Sequence, residues 1–381
     1  MIIGIDARFF GPRGKGLGRY TQKLIESLEE LDGQNDYVIF LRRANFDEFQ
    51  PKNPRFKKVL ADFRWYGLTE QILFPAAIRR QKIDLMHFPH FNVPVFYFGR
   101  YLVTVHDLIL RYFGTRRSST LGAVKYYFKN LGYKVVFWLA VKRAEKIITV
   151  SDYVKKDLIK NFHFQPEKIV VTPEGAPPRS LPFPGLRYKL REFGLTKPYL
   201  IYVGNAYPHK NLERLIKAFE ILTGDLKKDF QLALVGEEDY FYERLQAEAK
   251  DSILSEPEIF ERIVFTDFVA DEDLWLLYQN ASLYVFPSLC EGFGLPPLEA
   301  MSQGVPVVCS GATCLPEILG EAAIYFDPLS PRDMAEKINQ VLDDEKLRRD
   351  LIAKGFEQIK KYSWKEMGEE TLKVYSAIER T

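Results

Sequence analysis

Two glutamates, Glu291 and Glu299, flank a glycine- and proline-rich segment whose residue types could hold a sugar nucleotide. The apolar run at 281–286 predicts a buried strand before it, and Pro296 and Pro297 fit only the first turn of a following helix. A loop between a strand and a helix start presents free N–H groups and a positive dipole end, which suits a phosphate. Ionised carboxylates accept hydrogen bonds from vicinal hydroxyls. The alternative is an ordinary helix start with surface glutamates.

A second strand-to-helix loop could supply the cation for the same phosphates. The apolar run Tyr199–Val203 predicts a strand, and a helical pattern covers 212–222. Lys210 lies in the loop between them, where its ammonium group would be a point charge for a phosphate.

The N-terminal segment also reads as strand, glycine-rich loop and helix. A strand ends at Asp6, the loop contains Gly16 and Gly18, and a helical pattern begins at Tyr20. Glycines allow a ligand to approach the backbone closely, although a mobile surface loop is the alternative. The spacing differs from the dinucleotide fingerprint, which argues against an NAD-dependent oxidoreductase.

A histidine follows another predicted strand. The run 102–105 ends in His106 and Asp107, and the carboxyl ends of strands line the ligand crevice in open α/β sheets. A ligand-contacting histidine and a purely structural one are both compatible with this position.

Residues 111–146 combine basic and aromatic side chains, with Glu145 as the one acid. This composition suits an anionic membrane surface and could also bind nucleic acid. The alternative is a core helix with solvated lysines. We predict peripheral membrane contact and no nucleic-acid partner.

Length and composition favour two globular domains. The chain has 381 residues, and residues 1–185 carry 30 Lys and Arg against 17 Asp and Glu, whereas 186–381 carry 23 against 34. The start Met1–Asp6 turns polar too soon for a leader, and we expect no membrane-spanning helix. Three cysteines without metal spacing favour a reduced, cytoplasmic protein.

Alternating strands, loops and helices in both halves predict an α/β fold of two doubly wound Rossmann-like domains facing across a cleft. The proline-rich segment 176–189 is the predicted linker, so we expect domains at 1–180 and 190–363. The acidic run 271–273 fits a helix start better than a metal site.

Taken together, these motifs resemble glycosyltransferase family 4, whose members are retaining enzymes with the GT-B fold. Glu291 and Glu299 match the family's Glu-x7-Glu signature, with Gly-Phe-Gly-Leu-Pro between them. The segments 16–20, 104–108 and 202–212 match its glycine loop, strand-end histidine and donor-phosphate loop. The resemblance also implies that the last helix, within 364–381, returns to the first domain.

The chain departs from the family pattern at two places. Many members carry an arginine near the position of Asn205, and many have Asn-Gly where this chain has Glu174-Gly175. These departures concern the details of phosphate and acceptor contact.

The resemblance implies a role for each matched residue. Lys210 and the backbone at Gly294 and Leu295 would neutralise the departing diphosphate, Glu299 would hold the ribose, and Glu291 and His106 would contact the sugar. The implied donor-binding residues are Gly16, Gly18, Gly204, Asn205, Lys210, Gly236, Asp267, Phe268, Val269, Glu291, Gly292, Phe293, Gly294, Leu295 and Glu299. The implied acceptor-binding residues are Arg19, Tyr20, His106 and Asp107, and the implied catalytic residues are His106, Lys210 and Glu291.

The residues of these motifs are most similar to those of bacterial mannosyltransferases of surface polysaccharide synthesis. This similarity implies transfer of a hexose, mannose from GDP-mannose, to a saccharide or lipid-linked saccharide. It also implies that neither metal nor cofactor is needed. The alternatives are a UDP-sugar-dependent glucosyl- or N-acetylglucosaminyltransferase and a non-catalytic sugar-nucleotide-binding scaffold at the membrane.

Overall fold

The computed structural model describes residues 1–11, 15–114, 123–179, 187–252, 257–379. Its strands, in chain order, are β1 (Ile2–Asp6), β2 (Asp36–Leu41), β3 (Phe56–Leu60), β4 (Leu85–Phe88), β5 (Tyr101–Val105), β6 (Ile147–Thr149), β7 (Ile169–Val171), β8 (Tyr199–Val203), β9 (Gln231–Val235), β10 (Ile263–Phe265), β11 (Leu283–Phe286), β12 (Val307–Ser310) and β13 (Ala323–Phe326).

The α-helices alternate with these strands. In chain order they are α1 (Lys15–Leu31), α2 (Leu68–Arg80), α3 (Ile109–Tyr112), α4 (Ala123–Arg143), α5 (Asp152–Phe162), α6 (Arg187–Glu192), α7 (Leu212–Gly224), α8 (Tyr240–Ser252), α9 (Pro257–Phe260), α10 (Asp271–Asn280), α11 (Leu295–Ser302), α12 (Leu315–Leu319), α13 (Pro331–Asp343), α14 (Glu345–Ile359) and α15 (Trp364–Glu379).

The described residues form two compact units. The first unit draws on Met1–Leu108, Leu121–Gly175 and Tyr362–Thr381, and the second draws on Ile109–Thr120 and Ala176–Lys361. The predicted fold class, two Rossmann-like α/β domains, is confirmed.

The first unit contains a parallel sheet in the order β3-β2-β1-β4-β5-β6-β7. Alternate residues of a strand point to opposite faces, so Val38 and Phe40 join one core while Tyr37 and Ile39 join the other. The first core receives side chains of α2, α4 and α5, and the second receives side chains of α1 and α15. The strand order reverses between β1 and β4, where such sheets bind ligands.

The C-terminal helix α15 packs on α1 in the first unit, which confirms the implied return of the chain. Ser27 Oγ donates to the carbonyl oxygen of Trp364 at 3.0 Å. The Tyr375 hydroxyl lies 2.7 Å from Nδ1 of the buried His87, whose Nε2 lies 2.9 Å from Thr104 Oγ1. These polar contacts give the helix a specific docking position on the sheet.

The second unit contains a parallel sheet in the order β10-β9-β8-β11-β12-β13. Every residue of β9, β11 and β12 is buried, as expected for strands covered on both faces. The strand order reverses between β8 and β11. The loops after these two strands therefore leave the same edge of the sheet at its centre.

Two local predictions were wrong. Helix α1 begins at Lys15, so Gly16 and Gly18 lie in a helix rather than in a loop. A Cβ on Gly18 would lie 2.1 Å from the carbonyl oxygen of Gly11, so close packing against the preceding segment favours glycine there. The predicted linker 176–189 also reaches too far, because α6 already begins at Arg187. Residues 12–14 and 180–186 of these segments lie outside the described residues.

Among the described residues, no helix is long and apolar enough to cross a membrane.

Protonation of His87 provides a test of how α15 is docked. Burial lowers the pKa of His87 to about 3, below its usual range near 6.5. The folded state therefore binds fewer protons than the unfolded state, and the free energy of unfolding falls as the pH drops from about 6.5 towards 3. At pH 5 this effect lowers the free energy of unfolding by about 2 kcal/mol.

The loss can be measured by urea unfolding at pH 7 and pH 5. We expect His87→Gln to be less stable than the wild type at pH 7 but to lose less of its stability at pH 5. The control His163→Asn changes an exposed histidine and should keep the wild-type pH dependence. An unchanged pH dependence in His87→Gln would contradict this account.

Candidate active site

The site in the second unit lies at the carboxyl ends of β8 and β11. These strands are neighbours in the sheet, with Leu200 and Ile201 in register with Leu283 and Tyr284. The β8 strand leads through a 3₁₀ turn, Pro208–Lys210, into α7, and β11 leads through a glycine-containing loop into α11.

Lys210 and Glu291, predicted from separate motifs, form an ion pair here. The Lys210 ammonium nitrogen lies 2.6 Å from Glu291 Oε1, and the two side chains are 13% and 11% exposed. The ammonium group also lies 5.4 Å from the centre of the Phe286 ring. A largely buried pair of this kind is strongly oriented, because each charge depends on the other for its hydrogen bond. An incoming phosphate can replace the carboxylate as partner of Lys210 and leave Glu291 available to hydroxyl groups.

Asn211 fastens the two loops to each other. It is fully buried, and its side-chain Nδ2 donates to the carbonyl oxygens of Pro287 at 3.0 Å and Pro328 at 2.7 Å. Its φ of 63° is left-handed, a conformation that asparagine tolerates better than most residues. The backbone N–H of Leu289 also donates to the carbonyl oxygen of His209, at 2.7 Å. These bonds fix the separation of the Lys210 and Glu291 backbones.

The segment before α12 makes hydrogen bonds with the loop after β11. The N–H of Glu291 donates to Thr313 Oγ1 at 3.2 Å. The Cys314 thiol contacts the carbonyl oxygens of Glu291 and Phe293 at 3.4 and 3.3 Å. Burial raises the pKa of Cys314 well above its usual value, so the thiol keeps its proton and can donate it. The sequence suggested no role for this cysteine.

The start of α11 is the strand-to-helix segment for which an anion site was predicted. Gly294 has a φ of 100°, in the left-handed region, and Leu295 is the first helical residue. Prolines occupy the next two positions, so few N–H groups remain at this helix start, and those of Gly294 and Leu295 are among them. Glu299 lies in the same helix and is 5% exposed. Its contact with a ribose stays a prediction.

Gly204 and Gly236 bring the ends of β8 and β9 together. A Cβ on Gly236 would lie 2.1 Å from the Gly204 carbonyl oxygen, which also accepts from the Tyr242 hydroxyl at 2.7 Å. The Tyr202 hydroxyl donates to the carbonyl oxygen of Asn205 at 2.8 Å. Only a residue without a side chain fits at Gly236, and two buried tyrosines hold the loop that follows β8.

The predicted base-binding residues follow β10, two strands away from β8. Asp267 accepts from the N–H of Glu238 at 2.7 Å, and hydrogen bonds from Glu238 and Phe268 lower its pKa. Phe268 is 73% exposed, whereas Val269 is buried. The exposed ring of Phe268 can stack on a base, while Asp267 holds the turn.

In the first unit, each ring nitrogen of His106 lies within hydrogen-bonding distance of an acceptor oxygen. Its Nδ1 lies 3.0 Å from Glu174 Oε1, and its Nε2 lies 2.9 Å from the carbonyl oxygen of Pro89. A neutral imidazole carries one N–H, so both bonds are made only by the imidazolium. Burial lowers the pKa of His106, but the hydrogen bond and charge of Glu174 outweigh it and leave the pKa raised. The sequence did not predict the pairing of His106 with Glu174. The departure from the family pattern at Glu174 was the available indication of it.

Of the other predicted acceptor-binding residues, Tyr20 contacts His106 and Asp107 follows it in the sequence. The Tyr20 ring packs edge-on against His106, with 4.5 Å between ring centres, and its hydroxyl lies 3.4 Å from Thr104 Oγ1. Burial raises the pKa of Tyr20, so its hydroxyl stays neutral. Arg19 lies in α1 and Asp107 follows His106, and both are partly buried. Their acceptor role stays a prediction.

Two family models match consecutive parts of this chain. The model described as Glycosyltransferase Family 4 matches residues 14–179, and the one described as Glycosyl transferases group 1 matches residues 190–358. Together they span most of the sequence, including both candidate sites. The chain belongs to glycosyltransferase family 4.

Relatives of this family 4 glycosyltransferase extend along the whole chain. It is 29% identical to the O-antigen chain mannosyltransferase B of Escherichia coli, over 95% of this chain and 96% of that protein. It is 24% identical to the O-antigen chain mannosyltransferase RfbU of Salmonella typhimurium, over 90% of each. Sucrose-phosphate synthase from Thermosynechococcus elongatus has the same GT-B fold, with a TM-score of 0.76 at 19% identity, covering 100% of this chain and 99% of that one.

The ion pair makes a test of the second-unit site possible. We expect Lys210→Ala and Glu291→Ala to reduce glycosyl transfer at least 100-fold, since each removes a charged side chain that is predicted to face the reacting end of the donor. Lys210→Ala should also weaken nucleoside diphosphate binding. Calorimetry and product formation measure the two effects.

The matched control is Lys217→Ala, which removes an exposed lysine of α7. It should keep wild-type transfer. Near-normal turnover in either site variant, with the fold intact by circular dichroism, would refute the assignment.

The charge state of His106 gives a further test. We expect Glu174→Gln to lower the pKa of His106, because an amide keeps the shape of the side chain but removes its negative charge. The measurement is a ¹⁵N-histidine NMR titration of the wild type and the variant. The chain has five histidines, so assignment by single substitutions is practical. A His106 signal that titrates alike in both proteins would show that Glu174 does not set its charge.

Proposed function

We propose that the protein is a retaining hexosyltransferase that moves mannose from GDP-mannose to a saccharide or lipid-linked saccharide in cell-surface polysaccharide synthesis. The observation that carries the proposal is the Lys210–Glu291 pair at the adjoining ends of β8 and β11. The choice of mannose is supported by the two O-antigen mannosyltransferases to which the chain is similar along most of its length.

The donor is held by the second unit in this proposal. Lys210 and the N–H groups of Gly294 and Leu295 bind the diphosphate, so that a cation and a helix start face its charge. Glu291 then accepts hydrogen bonds from sugar hydroxyls, and Glu299 accepts them from the ribose. The base lies by Phe268, which offers an exposed aromatic face.

The reaction forms a bond between the acceptor oxygen and C1 of the sugar and breaks the bond from C1 to the phosphate oxygen. The acceptor attacks from the face that the diphosphate leaves, which retains the configuration. The departing phosphate oxygen takes the proton of the acceptor hydroxyl and leaves as part of the nucleoside diphosphate. The imidazolium of His106 cannot take this proton, because both ring nitrogens already carry one.

No metal or cofactor enters this mechanism. The ammonium group of Lys210 neutralises charge on the diphosphate, as a divalent ion does in other transferases. Metal independence is a proposal, and transfer that persists in excess EDTA supports it.

A donor panel tests the proposal most broadly. GDP-mannose, UDP-glucose, UDP-N-acetylglucosamine and ADP-glucose are compared by thermal shift and by slow donor hydrolysis. We expect GDP-mannose to give the largest shift and the fastest hydrolysis, with α-mannose as the first-formed anomer by NMR.

Each other outcome changes the assignment in a defined way. A preference for a UDP-sugar replaces the donor and keeps the class. Binding of a donor without hydrolysis, or without transfer to any saccharide acceptor supplied, favours the scaffold function. A β-anomer as first product contradicts retention.

The exposed side of α4 supports a second part of the proposal, peripheral contact with the inner face of an anionic membrane. Phe137 is buried in the core, but Trp138 and Tyr127 are 45% and 66% exposed. The ammonium group of the exposed Lys142 lies 4.3 Å from the centre of the Trp138 ring. Exposed aromatic rings beside lysines suit the headgroup region of a bilayer. Residues 115–122 of the basic-aromatic stretch lie outside the described residues.

Vesicle sedimentation tests this contact. We expect the protein to bind vesicles of phosphatidylglycerol and phosphatidylcholine, with binding that weakens as salt rises. Replacing both Lys134 and Lys142 by Glu should reduce binding several-fold. The control pair Lys346→Glu and Lys360→Glu makes the same change in charge at exposed positions of the second unit. Equal binding by both double variants, or none at low salt, would refute the contact.

A further inference from the structure

A buried polar network lies at the carboxyl ends of β1 and β4, where the strand order of the first unit reverses. Arg8 follows β1 and donates through Nε and Nη2 to the two carboxylate oxygens of Asp6, both at 2.7 Å. Its Nη2 also lies 2.7 Å from Glu70 Oε1, in the first turn of α2. Asn92, in the loop after β4, donates to the same Glu70 oxygen at 2.7 Å.

The network is rigid and almost fully buried. Arg8, Asp6, Glu70 and Asn92 are 1%, 4%, 0% and 2% exposed. The guanidinium lies over the Phe74 ring, 4.1 Å from its centre, which adds a cation–π contact. Side chains of β1 and α2 therefore hold one planar donor group in a single orientation.

Three polar atoms of this neighbourhood have hydrogen-bonding capacity left over. Arg8 Nη1, Asn92 Oδ1 and Trp65 Nε1 are buried and have no partner among the described residues. Buried polar groups without hydrogen-bond partners destabilise a fold, and a ligand that supplies the missing partners removes that cost. Two donors and one acceptor match the mixed capacity of hydroxyl groups.

Aromatic rings adjoin the polar atoms. Phe9 and Trp65 stack in parallel with 4.3 Å between their centres, and His90 lies 5.4 Å from Phe9. All three rings are partly exposed. Aromatic faces beside fixed donors and acceptors suit a sugar ring, which offers C–H groups on its face and hydroxyls at its edge.

We propose that this neighbourhood is an acceptor subsite for one neutral sugar residue, an inference that rests on the proposed function. Arg8 Nη1 and Trp65 Nε1 donate to hydroxyls of that residue, and Asn92 Oδ1 accepts from one. The rings of Phe9 and His90 pack on its apolar face, because Phe9 and Arg42 already cover the two faces of the Trp65 ring.

The charges of the network favour a neutral ligand over an anionic one. One guanidinium faces the two carboxyl groups of Asp6 and Glu70, so the network carries no positive excess. Burial raises the pKa of Glu70 against the opposing effect of Arg8, which at most neutralises the carboxyl group. Arg42, whose guanidinium lies 4.6 Å from the centre of the Trp65 ring, is itself paired with Asp62 at 3.4 Å, so a phosphate or carboxylate would find little net attraction here.

Entry of the sugar requires the loop before α2 to move. Tyr66 is 57% exposed, has a left-handed φ of 60°, and donates its N–H to Glu70 Oε2 at 2.7 Å. A left-handed φ is unfavourable for tyrosine. Gly67, which follows it, gives the loop the freedom to rearrange.

The test uses saturation-transfer NMR on the full chain, with the methyl α-glycosides of mannose, glucose, galactose and N-acetylglucosamine as probes. We expect at least one glycoside to bind, and inorganic phosphate not to compete with it. Trp65→Phe, which keeps the ring and removes the N–H, and Asn92→Ala should each weaken that binding at least fivefold. The matched control Trp275→Phe changes a partly exposed tryptophan of α10 and should leave it unchanged.

GDP-mannose binding, measured on the same proteins, separates this proposal from the proposed function. Wild-type donor binding and hydrolysis with no glycoside binding overturns the subsite alone. Variants that melt earlier but bind the glycoside as the wild type does also overturn it, since the network is then structural only. If the wild type does not hydrolyse GDP-mannose, the proposed function is refuted instead.

Discussion

The pairing of β8 with β11 is the constraint on which the donor site depends. It brings Lys210 and Glu291 to 2.6 Å although 81 positions separate them in the sequence. Because the sheet is parallel, both strands deliver their following loops to one edge. Hydrogen bonds from the side chains of Asn211 and Cys314 then fix the positions of those loops. These contacts therefore set the position of the ion pair.

A shared arrangement recurs at the strand ends of both units: a glutamate holds a cation in a buried or nearly buried place. Glu291 holds Lys210, Glu174 holds His106, and Glu70 holds Arg8. In each case the carboxylate compensates the charge and also sets the direction of the N–H groups. Oriented cations of this kind suit substrates that carry phosphates and hydroxyls, because the donors are in place before the substrate arrives.

Much of this architecture could be predicted from local pattern. The strands ending at Asp6, Val105, Val203 and Phe286, and the helix start at Leu295, follow from apolar runs bounded by glycine and proline. The partners across the sheet could not be predicted, because they depend on strand order. Glu174 reaches His106 across 68 positions, and Glu70 reaches Asn92 across 22. The glycines of α1 misled the prediction, because close packing of Gly18 outweighed the low helix propensity of glycine.

The position of a bound diphosphate tests the central claim most directly. A crystal structure of the protein with GDP is expected to place phosphate oxygens within hydrogen-bonding distance, about 2.7–3.2 Å, of Lys210 Nζ and of the N–H of Gly294 or Leu295. Lys210 would then have exchanged at least part of its bond to Glu291 for the phosphate. A diphosphate bound elsewhere, with the Lys210–Glu291 bond unchanged, would contradict the account.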